Sequence, residues 1–504
     1  RQIHVPAGAQ SIVDQQIYVH RENQREYIEV VRVSGAAPAK AAAKPADTPN
    51  AAAANSGPAA ADENQKDVLV RIPTDRIGRN GIEIGKDEAE RLANNDIRRL
   101  KVRGIEAKIE SRFVPIVRLY SLGDDGTVDC RDAESGESVW MNRVGDRRLG
   151  YSKMGIDDKY LTVINGGNLI KLDVTNGTEI MSVRTTSTPL FGAVHSGGFS
   201  LVPTIRNGVE GYPLDDPTRV PFMEIVQGIA LAPPSKSPSS TRVAWGTNRG
   251  FVYVMESSGT PSILFRLNTD GIVSGRIAAA EGDRFYFGSE AGQVYGIRAT
   301  RTGTVLWSRP YGEPFYNSPM VIGKQVLLRS TYGTLYSLDT DSGIMTWPYT
   351  VANVDVLLGA FDGKLFVRLL SGGFSVINLE TGKTINTFNE LVPQTLLVNS
   401  QTNRLYLVGK TGAVQCLRPE GEMLPQFSVS IDAPAEKPDE ESPSADEPAG
   451  PAAAFAGQAA DADPFAAGGD ADPFAGGGAD PFGAGAGDAM ADPFATDGAD
   501  PFGN

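Results

Sequence analysis

The chain has 504 residues, of which 41% are hydrophobic, so it is long enough to bury a large core. Its formal charge of −14 is concentrated at one end: from Asp432 onward, 16 acidic residues face the single Lys437, which leaves a net charge of +1 on the preceding 431 residues. This distribution excludes an electrostatic footprint for nucleic acid on the body of the protein, and no run of 18 apolar residues predicts a membrane-spanning helix.

The first residue is Arg1 rather than Met, and two explanations stay open. One is a secretory precursor that has lost its signal peptide, and the other is an arbitrary boundary. No N-terminal Cys is present to carry a lipid. We favour export, with the protein placed in the periplasm or cell envelope.

Three segments are expected ahead of the main domain. Residues 1–33 contain strand-like runs at 16–19 and 27–33, which predict a short strand-rich arm. Residues 34–66 are rich in Ala and Pro and lack side chains that could build a core, so they predict a disordered linker. Residues 67–112 combine a strand, a helix with one apolar face between positions 86 and 100, and a second strand, which predicts a small α/β element.

A repeat of about 40 residues dominates the following 300 or so positions. Each unit opens with a glycine ahead of a short apolar strand, and successive units are 39 to 42 residues apart. Several short strands in a period of this length are typical of a β-propeller. The repeat therefore predicts an all-β, eight-bladed β-propeller over residues 113–430. The eight opening glycines are Gly126, Gly167, Gly208, Gly250, Gly292, Gly333, Gly373 and Gly412.

An acidic residue and a second glycine mark the next hairpin of a unit. Asp132, Asp173 and Asp339 each precede such a turn glycine by four positions. An Asp side chain accepts hydrogen bonds from the backbone N–H groups of a turn, and Gly adopts the positive φ that the turn needs. The turn glycines are Gly136, Gly177, Gly303, Gly343 and Gly382.

In three units a tryptophan follows the turn glycine by four residues: Trp140, Trp307 and Trp347. The ring is large enough to fill the wedge between two blades, and we expect its N–H to stay at the wet edge of that wedge. The Gly208 unit is interrupted by Pro213 and Pro217, and three other units lack the tryptophan, so these blades are expected to be irregular. Residues 229–240 are expected to form a surface excursion rather than a strand.

Five Asp-Pro-Phe motifs mark residues 431–504, an acidic tail that predicts disorder because it has almost no aliphatic side chains. Two interpretations of the motifs stay open. They are either a low-complexity expansion without a receptor, or a multivalent docking tail whose repeated weak contacts give avidity. The candidate docking residues are Phe465, Phe474, Phe482, Phe494 and Phe502.

Groups suited to catalysis or metal binding are sparse. The histidines, His4, His20 and His195, show no metal-ligand spacing, and the sequence has no Cys-x-x-Cys or phosphate-binding glycine loop. Cys130 and Cys416 occupy equivalent positions in the first and last units, where two buried free thiols are favoured over a disulfide. The sequence therefore predicts no catalytic residue, no metal and no cofactor.

The unit Gly-x-Val/Leu-x-x-x-Asp-x-x-Ser/Thr-Gly-x-x-x-Trp resembles the repeat of pyrroloquinoline-quinone-type (PQQ-like) propellers, over about residues 113–417. The family includes the outer-membrane assembly propeller lipoprotein BamB and the quinoprotein dehydrogenases. Resemblance to the dehydrogenases implies a quinone held beneath two adjacent, disulfide-bonded cysteines, with calcium bound by acidic and amide side chains. This sequence lacks such a cysteine pair, and it also lacks the Gly-His and Trp-Asp dipeptides of WD-type propellers.

The resemblance and the missing site together favour a non-enzymatic scaffold for protein–protein interactions in the bacterial cell envelope. Its partners would be proteins bound by the propeller faces and by the tail, with no nucleic acid and with peripheral membrane association left open. The alternative is a PQQ-dependent quinoprotein oxidoreductase, for which alone PQQ and calcium are expected. A ligand-sensing domain that uses the central funnel is a third interpretation.

Overall fold

The computed structural model describes residues 2–4, 12–33, 68–77, 83–216, 218–389, 395–409, 413–420 and 422–427. They all belong to the first of two compact units of the chain, which covers residues 1–435. The predictions for the linker at 34–66, for Gly412 and for the five tail phenylalanines lie outside the described residues. Within the described part, the protein has one helix and 32 strands, and every pairing between these strands is antiparallel, which confirms the mostly-β class.

The strands of the described residues form eight sheets, numbered here in chain order. Sheets 2 to 5 are four-stranded meanders, in which each strand pairs with the next one along the chain. Sheet 2 contains β7 (Gly155–Ile156), β8 (Tyr160–Asn165), β9 (Asn168–Asp173) and β10 (Glu179–Arg184). Sheet 3 contains β11 (Val194–Ser196), β12 (Phe199–Thr204), β13 (Gly208–Pro213) and β14 (Phe222–Ile225).

The next four sheets continue the pattern. Sheet 4 contains β15 (Ser235–Lys236), β16 (Arg242–Gly246), β17 (Phe251–Glu256) and β18 (Ser262–Asn268). Sheet 5 contains β19 (Ala278–Ala280), β20 (Arg284–Gly288), β21 (Gln293–Arg298) and β22 (Thr304–Pro310). Sheet 6 contains β23 (Met320–Ile322), β24 (Gln325–Arg329) and β25 (Leu335–Asp339). Sheet 7 contains β26 (Val354–Phe361), β27 (Lys364–Leu369), β28 (Phe374–Asn378) and β29 (Thr384–Phe388).

The two remaining sheets share the N-terminal segment of the chain. Sheet 8 has the order β30, β31, β32, β1, so that the first strand of the protein forms the outer edge of its last sheet. Sheet 1 has the order β3, β2, β4, β5, β6. The strands of sheet 8 are β1 (Gln2–His4), β30 (Thr395–Leu397), β31 (Leu405–Val408) and β32 (Ala413–Leu417). The strands of sheet 1 are β2 (Ile12–Arg32), β3 (Val68–Pro73), β4 (Ala107–Gly123), β5 (Thr127–Asp132) and β6 (Ser138–Arg143).

The two halves of the 21-residue strand β2 pair with different sets of strands. Its first half, up to His20, pairs with the end of β4 and completes a four-stranded array with β5 and β6. Its second half, from Gln24, pairs with the start of β4 and with β3. The boundary expected at residue 113 therefore lies inside β4 rather than between two elements.

The helix expected between positions 86 and 100 is confirmed as α1 (Gly85–Val102). Ala89 and Ala93 are buried against Ile28, Val30 and Ile72 of the long sheet, and the other apolar residues of that face pack around them. Apolar side chains spaced three and four residues apart form this stripe because they fall on one side of a helix. Within the described residues, no helix combines the length and the apolar content needed to cross a membrane.

The core lies between sheets rather than within one of them. Each of the eight neighbouring pairs of sheets encloses its own apolar cluster, including a cluster between sheet 8 and sheet 1. The inner strands also touch: β7 contacts β11, β11 contacts β15, β15 contacts β19, β19 contacts β23, β26 contacts β30, and β30 contacts β2. Sheets buried on both faces explain why the third strand of each unit is apolar on both sides.

Two expectations about irregular regions are wrong. The Gly208 unit forms sheet 3 with an uninterrupted register, because Pro213 is the last residue of β13, where its missing N–H costs little. Residues 229–240 are not a surface excursion: they include β15, and Ser235 and Ser237 are buried. The unit that lacks a fourth named strand is instead the Gly333 unit, where Pro348 follows Trp347 and only isolated bridges, at Met345 and Val351, continue the pairing.

Candidate functional site

The acidic residues of the repeat close the outer hairpins. The Oδ1 atom of Asp132 accepts hydrogen bonds from the backbone N–H groups of Glu134 and Ser135, at 3.1 and 2.8 Å. Asp339 accepts hydrogen bonds from the backbone N–H groups of Asp341 and Ser342, at 3.1 and 2.8 Å. Asp173 accepts a hydrogen bond from the backbone N–H group of Thr175 at 2.7 Å. A further bond from the neighbouring hydroxyl group, together with these N–H groups, holds the pKa of Asp173 and of Asp339 below its usual value.

The glycines of the repeat lie at two kinds of turn. The turn glycines Gly136, Gly177, Gly303, Gly343 and Gly382 all have φ between 67° and 76°. Among the opening glycines, Gly126, Gly250, Gly292, Gly333 and Gly373 have φ between 72° and 94°, and they lie between the second and third strands of the four-stranded arrays. At Gly167 and Gly208 the preceding residue of the turn has the positive φ instead. These residues are Gly166, with φ of 60°, and Asn207, with φ of 58°.

Each tryptophan of the repeat joins its own sheet to the next one. The Nε1–H groups of Trp140, Trp307 and Trp347 donate to the carbonyl oxygens of Val174, Thr340 and Leu379, at 2.8, 2.9 and 2.8 Å. The expectation of an N–H at the wet edge is therefore wrong, since the backbone of the next sheet satisfies it. The rings are less than 9% exposed, and they cover the turn glycines Gly177, Gly343 and Gly382 of that next sheet.

Sequence reasoning missed two members of these inter-sheet joints. Phe265 covers Gly303 in the position that a tryptophan takes elsewhere, 2.6 Å from a β-carbon built on that glycine. Asn378 replaces the acidic residue, and its Oδ1 accepts from the N–H groups of Glu380 and Thr381 at 3.0 and 2.8 Å. The signal was present, because Asn378 precedes Gly382 by four positions and an Asn side chain accepts the same bonds.

Sheets 8 and 1 meet at a polar contact above an apolar cluster. The Nε atom of Arg404, whose side chain is fully buried, lies 2.9 and 3.1 Å from the two carboxylate oxygens of Glu134. Beneath it, Leu119 and Val117 pack against Tyr406 and Val414.

The two thiols are free, and Cys130 is buried while Cys416 is only partly so. Burial raises the pKa of Cys130 to about 12 and that of Cys416 to about 11, so both stay protonated and unreactive at neutral pH.

A buried polar network links the inner strands of sheets 1, 2 and 3. His195 on β11 uses both ring nitrogens: its Nδ1 donates to a carboxylate oxygen of Asp157 at 2.8 Å, and its Nε2 lies 2.7 Å from the hydroxyl oxygen of Thr162. His20 on β2 lies 2.9 Å from the hydroxyl oxygen of Tyr120 and 3.4 Å from Asp158. Burial opposes ionisation of Asp157, but the bonds from His195 and from backbone N–H groups outweigh it and lower its pKa. The Asp–His–Thr arrangement resembles a catalytic triad, yet Thr162 is 1% exposed and has no access for a substrate.

Exposed apolar side chains collect at one end of sheets 6 and 7. Tyr316, Tyr332, Tyr349 and Leu370 are 47, 69, 79 and 50% exposed. Their loops are tied together by backbone hydrogen bonds from Thr331 to Pro314, from Leu370 to Asn353 and from Val354 to Gly333. We call these four side chains the turn-end patch. Tyrosine supplies large contact area with little loss of side-chain entropy, which is why it is enriched in protein interfaces.

The residues present do not fit a calcium-bound quinone. The two cysteines lie on β5 and β32, in different sheets, so they cannot form the adjacent pair that the dehydrogenases use. In the part of the chain that the structure describes, no three His, Cys, Asp or Glu side chains are grouped so as to hold a metal ion. Asp355 on β26 is already bound by Arg368, whose Nε lies 2.7 Å from its Oδ2.

Comparison with solved structures returns several proteins at low identity and with TM-scores below 0.5. BamB from Moraxella catarrhalis is 18% identical with a TM-score of 0.49, covering 60% of this chain and 92% of that one. Sqt1 from Saccharomyces cerevisiae is 11% identical with a TM-score of 0.46, covering 60% and 92%. The dihydro-heme d1 dehydrogenase NirN, in complex with DHE, is 14% identical with a TM-score of 0.43, covering 54% and 63%.

Sequence comparison is more specific. No curated protein matches the chain. The model of one family, described as outer membrane protein assembly factor BamB, matches residues 238–418. These residues span sheets 5 to 7 and most of sheets 4 and 8, where the opening glycine, the turn glycine and the tryptophan recur. Over residues 238–418 the chain is therefore similar to the PQQ-like repeat family whose model is described as outer membrane protein assembly factor BamB.

Proposed function

We propose that the chain is a closed, eight-bladed PQQ-like propeller that serves as a non-enzymatic scaffold for protein–protein interactions in the bacterial cell envelope. Closure is supported by the apolar cluster between sheets 8 and 1 and by β1, which pairs with β32. The envelope location is supported by the family description, since an outer membrane assembly factor works in that compartment.

The observation that carries the scaffold function is the turn-end patch. Four large side chains are solvent-exposed on loops whose backbones are hydrogen-bonded to one another, so the patch needs little ordering when a partner binds. A rigid surface rich in tyrosine suits a protein partner better than a small substrate, because no enclosed pocket surrounds it. We therefore assign partner binding to this end of sheets 6 and 7.

The test compares two double variants in capture from native envelope extracts. Tyr332→Ser with Leu370→Ser removes half of the patch, and Val305→Ser with Ile385→Ser removes apolar side chains of similar exposure from outer strands. We expect the first variant to lose its main partner, with affinity reduced about tenfold or more, and the second to retain it. Equal partner binding by both variants would contradict the assignment of partner binding to the turn-end patch.

The tail is proposed as a second, independent docking element. Changing Phe465, Phe474, Phe482, Phe494 and Phe502 to Ala keeps its charge and removes the aromatic contacts. We expect the loss of partners that bind through avidity, measured by capture on the full-length chain. An unchanged set of partners would favour the low-complexity interpretation.

The oxidoreductase alternative makes a separate prediction. Mixing the protein with PQQ and Ca²⁺ is expected to give no retained chromophore after desalting and no dye reduction with alcohols. The sequence has no adjacent cysteine pair, and the residues that the structure describes hold no ligand cluster. A bound chromophore with dye-reducing activity would replace the scaffold proposal with the enzymatic one.

A further inference from the structure

A cavity of about 510 Å³ lies where the inner strands of sheets 4 to 8 converge. Its wall includes β15 of sheet 4, β19 of sheet 5 with the residues just before it, β23 of sheet 6, β26 of sheet 7 and the segment that follows β30 of sheet 8. This volume is in the range of sites that hold small organic ligands.

The charge of the wall is predominantly positive. Lys236, Arg276 and Arg329 line the cavity, whereas Asp355 is its one acidic lining residue, which leaves two positive charges in excess. Asp355 is engaged by Arg368 through a bond of 2.7 Å, while the nearest nitrogen of Arg329 is 3.9 Å away. Arg368 therefore neutralises the carboxylate, and Asp355 does little to balance the three lining cations.

Of the three lining cations, Arg276 is held in place by neutral partners. Arg276 Nε donates to the hydroxyl oxygen of Ser235 at 3.1 Å, and its Nη2 donates to the carbonyl oxygen of Pro234 at 3.3 Å. Arg329 Nε is buried and has no hydrogen-bond partner. Within the described residues, no carboxylate forms an ion pair with Lys236 or Arg276, so their charges remain available to a ligand.

The surrounding protein also removes part of the water that would solvate these groups. Although both side chains open onto the cavity, desolvation lowers the pKa of Lys236 and of Arg276. Asp14 on β2 opposes the shift at Arg276, and Asp157 and Asp158 oppose the shift at Lys236, without forming ion pairs with these cations. An anion placed in the cavity would relieve this cost for both cations at once.

The remaining wall is apolar. Ala278, Met320, Val321, Leu357 and Val398 supply aliphatic surface beside the cations. A purely inorganic anion would leave this surface facing water, whereas an organic body attached to the anionic group would cover it.

We propose that the axial cavity binds a small organic anion, whose carboxylate or phosphate group contacts Lys236, Arg276 and Arg329 while its carbon skeleton packs on Met320, Val321 and Leu357. The proposal goes beyond the scaffold function and does not depend on it, because the cavity and the turn-end patch share no residue.

The test is calorimetric titration of the full chain at low salt with phthalate, phenyl phosphate and the neutral benzamide. Binding of phthalate, of phenyl phosphate or of both is expected, and the pattern distinguishes carboxylate from phosphate as the anionic group. Benzamide is expected not to bind. Arg276→Gln and Lys236→Gln should each lower the affinity for the anion by about tenfold or more, because each removes a charge-assisted hydrogen bond.

The matched control is Arg206→Gln, which removes an exposed arginine from the turn between β12 and β13. This variant is expected to bind as the wild type does, and circular dichroism of all three variants separates lost binding from lost folding. The proposal is overturned if neither anion binds at about 10 mM. It is also overturned if Arg206→Gln weakens binding as much as Arg276→Gln does, since charge alone, and not the cavity, would then explain it.

Discussion

At the scale of single residues, neighbouring sheets are joined by a tryptophan that lies over a glycine. The ring of Trp307 covers Gly343, and its N–H reaches Thr340 in the same hairpin, so one side chain supplies both apolar contact and a directed bond. A glycine is required there twice over, because its φ is +67° and because a β-carbon would overlap the indole. The repeat spacing predicted the positions of these two residues. It could not predict that they belong to the same joint, since they come from successive units.

Gly343→Ala tests this joint. We expect a loss of about 2–4 kcal/mol in the free energy of unfolding, because the substitution adds overlap with Trp307 to the cost of a left-handed alanine. The control is Gly363→Ala, which has a similar φ of +65° but no heavy atom within 4 Å of the added carbon. The control should lose only about 1 kcal/mol in a guanidinium titration. Equal losses would mean that the ring contact contributes nothing.

The Asp157 carboxylate gives a prediction about pH. Its pKa is lowered in the folded protein, so its contribution is present above the unfolded value of about 4 and is lost as the pH falls through the folded value. Asp157→Asn should therefore lower the free energy of unfolding by about 1–2 kcal/mol at pH 7. This loss should become smaller as the pH falls below about 4. The exposed Asp124→Asn is the control. A deficit that stays constant from neutral to acidic pH would contradict this account.

At the scale of elements, local patterns predicted strands and turns better than they predicted partners. The apolar run with an opening glycine identified the third strand of most units, and the spacing of Ala89, Leu92 and Ala93 identified α1. The pairing of β1 with β32 could not be read from the sequence, because a three-residue strand carries no information about a partner some 400 positions away. Residues 229–240 were misjudged for a related reason, since inner strands such as β15 have only two residues.

Deleting residues 1–10 tests the contribution of β1. The outer edge of β32 would lose its backbone partners, so the amides of β31 and β32 should exchange with solvent about tenfold faster or more. The amides of β16 and β17 in sheet 4 are the internal control and should keep their protection. If exchange in sheet 8 does not change, β1 does not stabilise it in solution.

At the scale of the whole molecule, stability depends on the apolar clusters between neighbouring sheets, and between sheets 8 and 1 an ion pair with the fully buried Arg404 is added. Removing one partner of a buried pair is costly because the other charge is left without solvent or counter-charge. The period of about 40 residues predicted a succession of short antiparallel strands, whereas this ion pair joins residues 270 positions apart and left no pattern to find.

Glu134→Gln is expected to lower the free energy of unfolding by about 3 kcal/mol, because Arg404 keeps its charge in a fully buried position. The control is Glu88→Gln, which breaks a pair on the exposed side of α1 and should leave stability unchanged. Thermal denaturation of both variants measures the difference. A loss no greater than that of the control would show that the junction is held by its apolar cluster alone.

Sheets 8 and 1 both contain strands from the N-terminal segment, and this sets the order in which the sheets can fold during synthesis. During synthesis, β1 and the start of β2 emerge first, yet β1 finds its partner only when β32 has been made. Sheets 1 to 7 are each built from strands within one continuous stretch of the chain and can assemble as they appear, while sheet 8 waits for β30, β31 and β32. Contacts between such distant parts of a chain form slowly. The junction between sheets 8 and 1 is therefore where an incomplete nascent chain stays open longest. Chaperones or proteases gain access there.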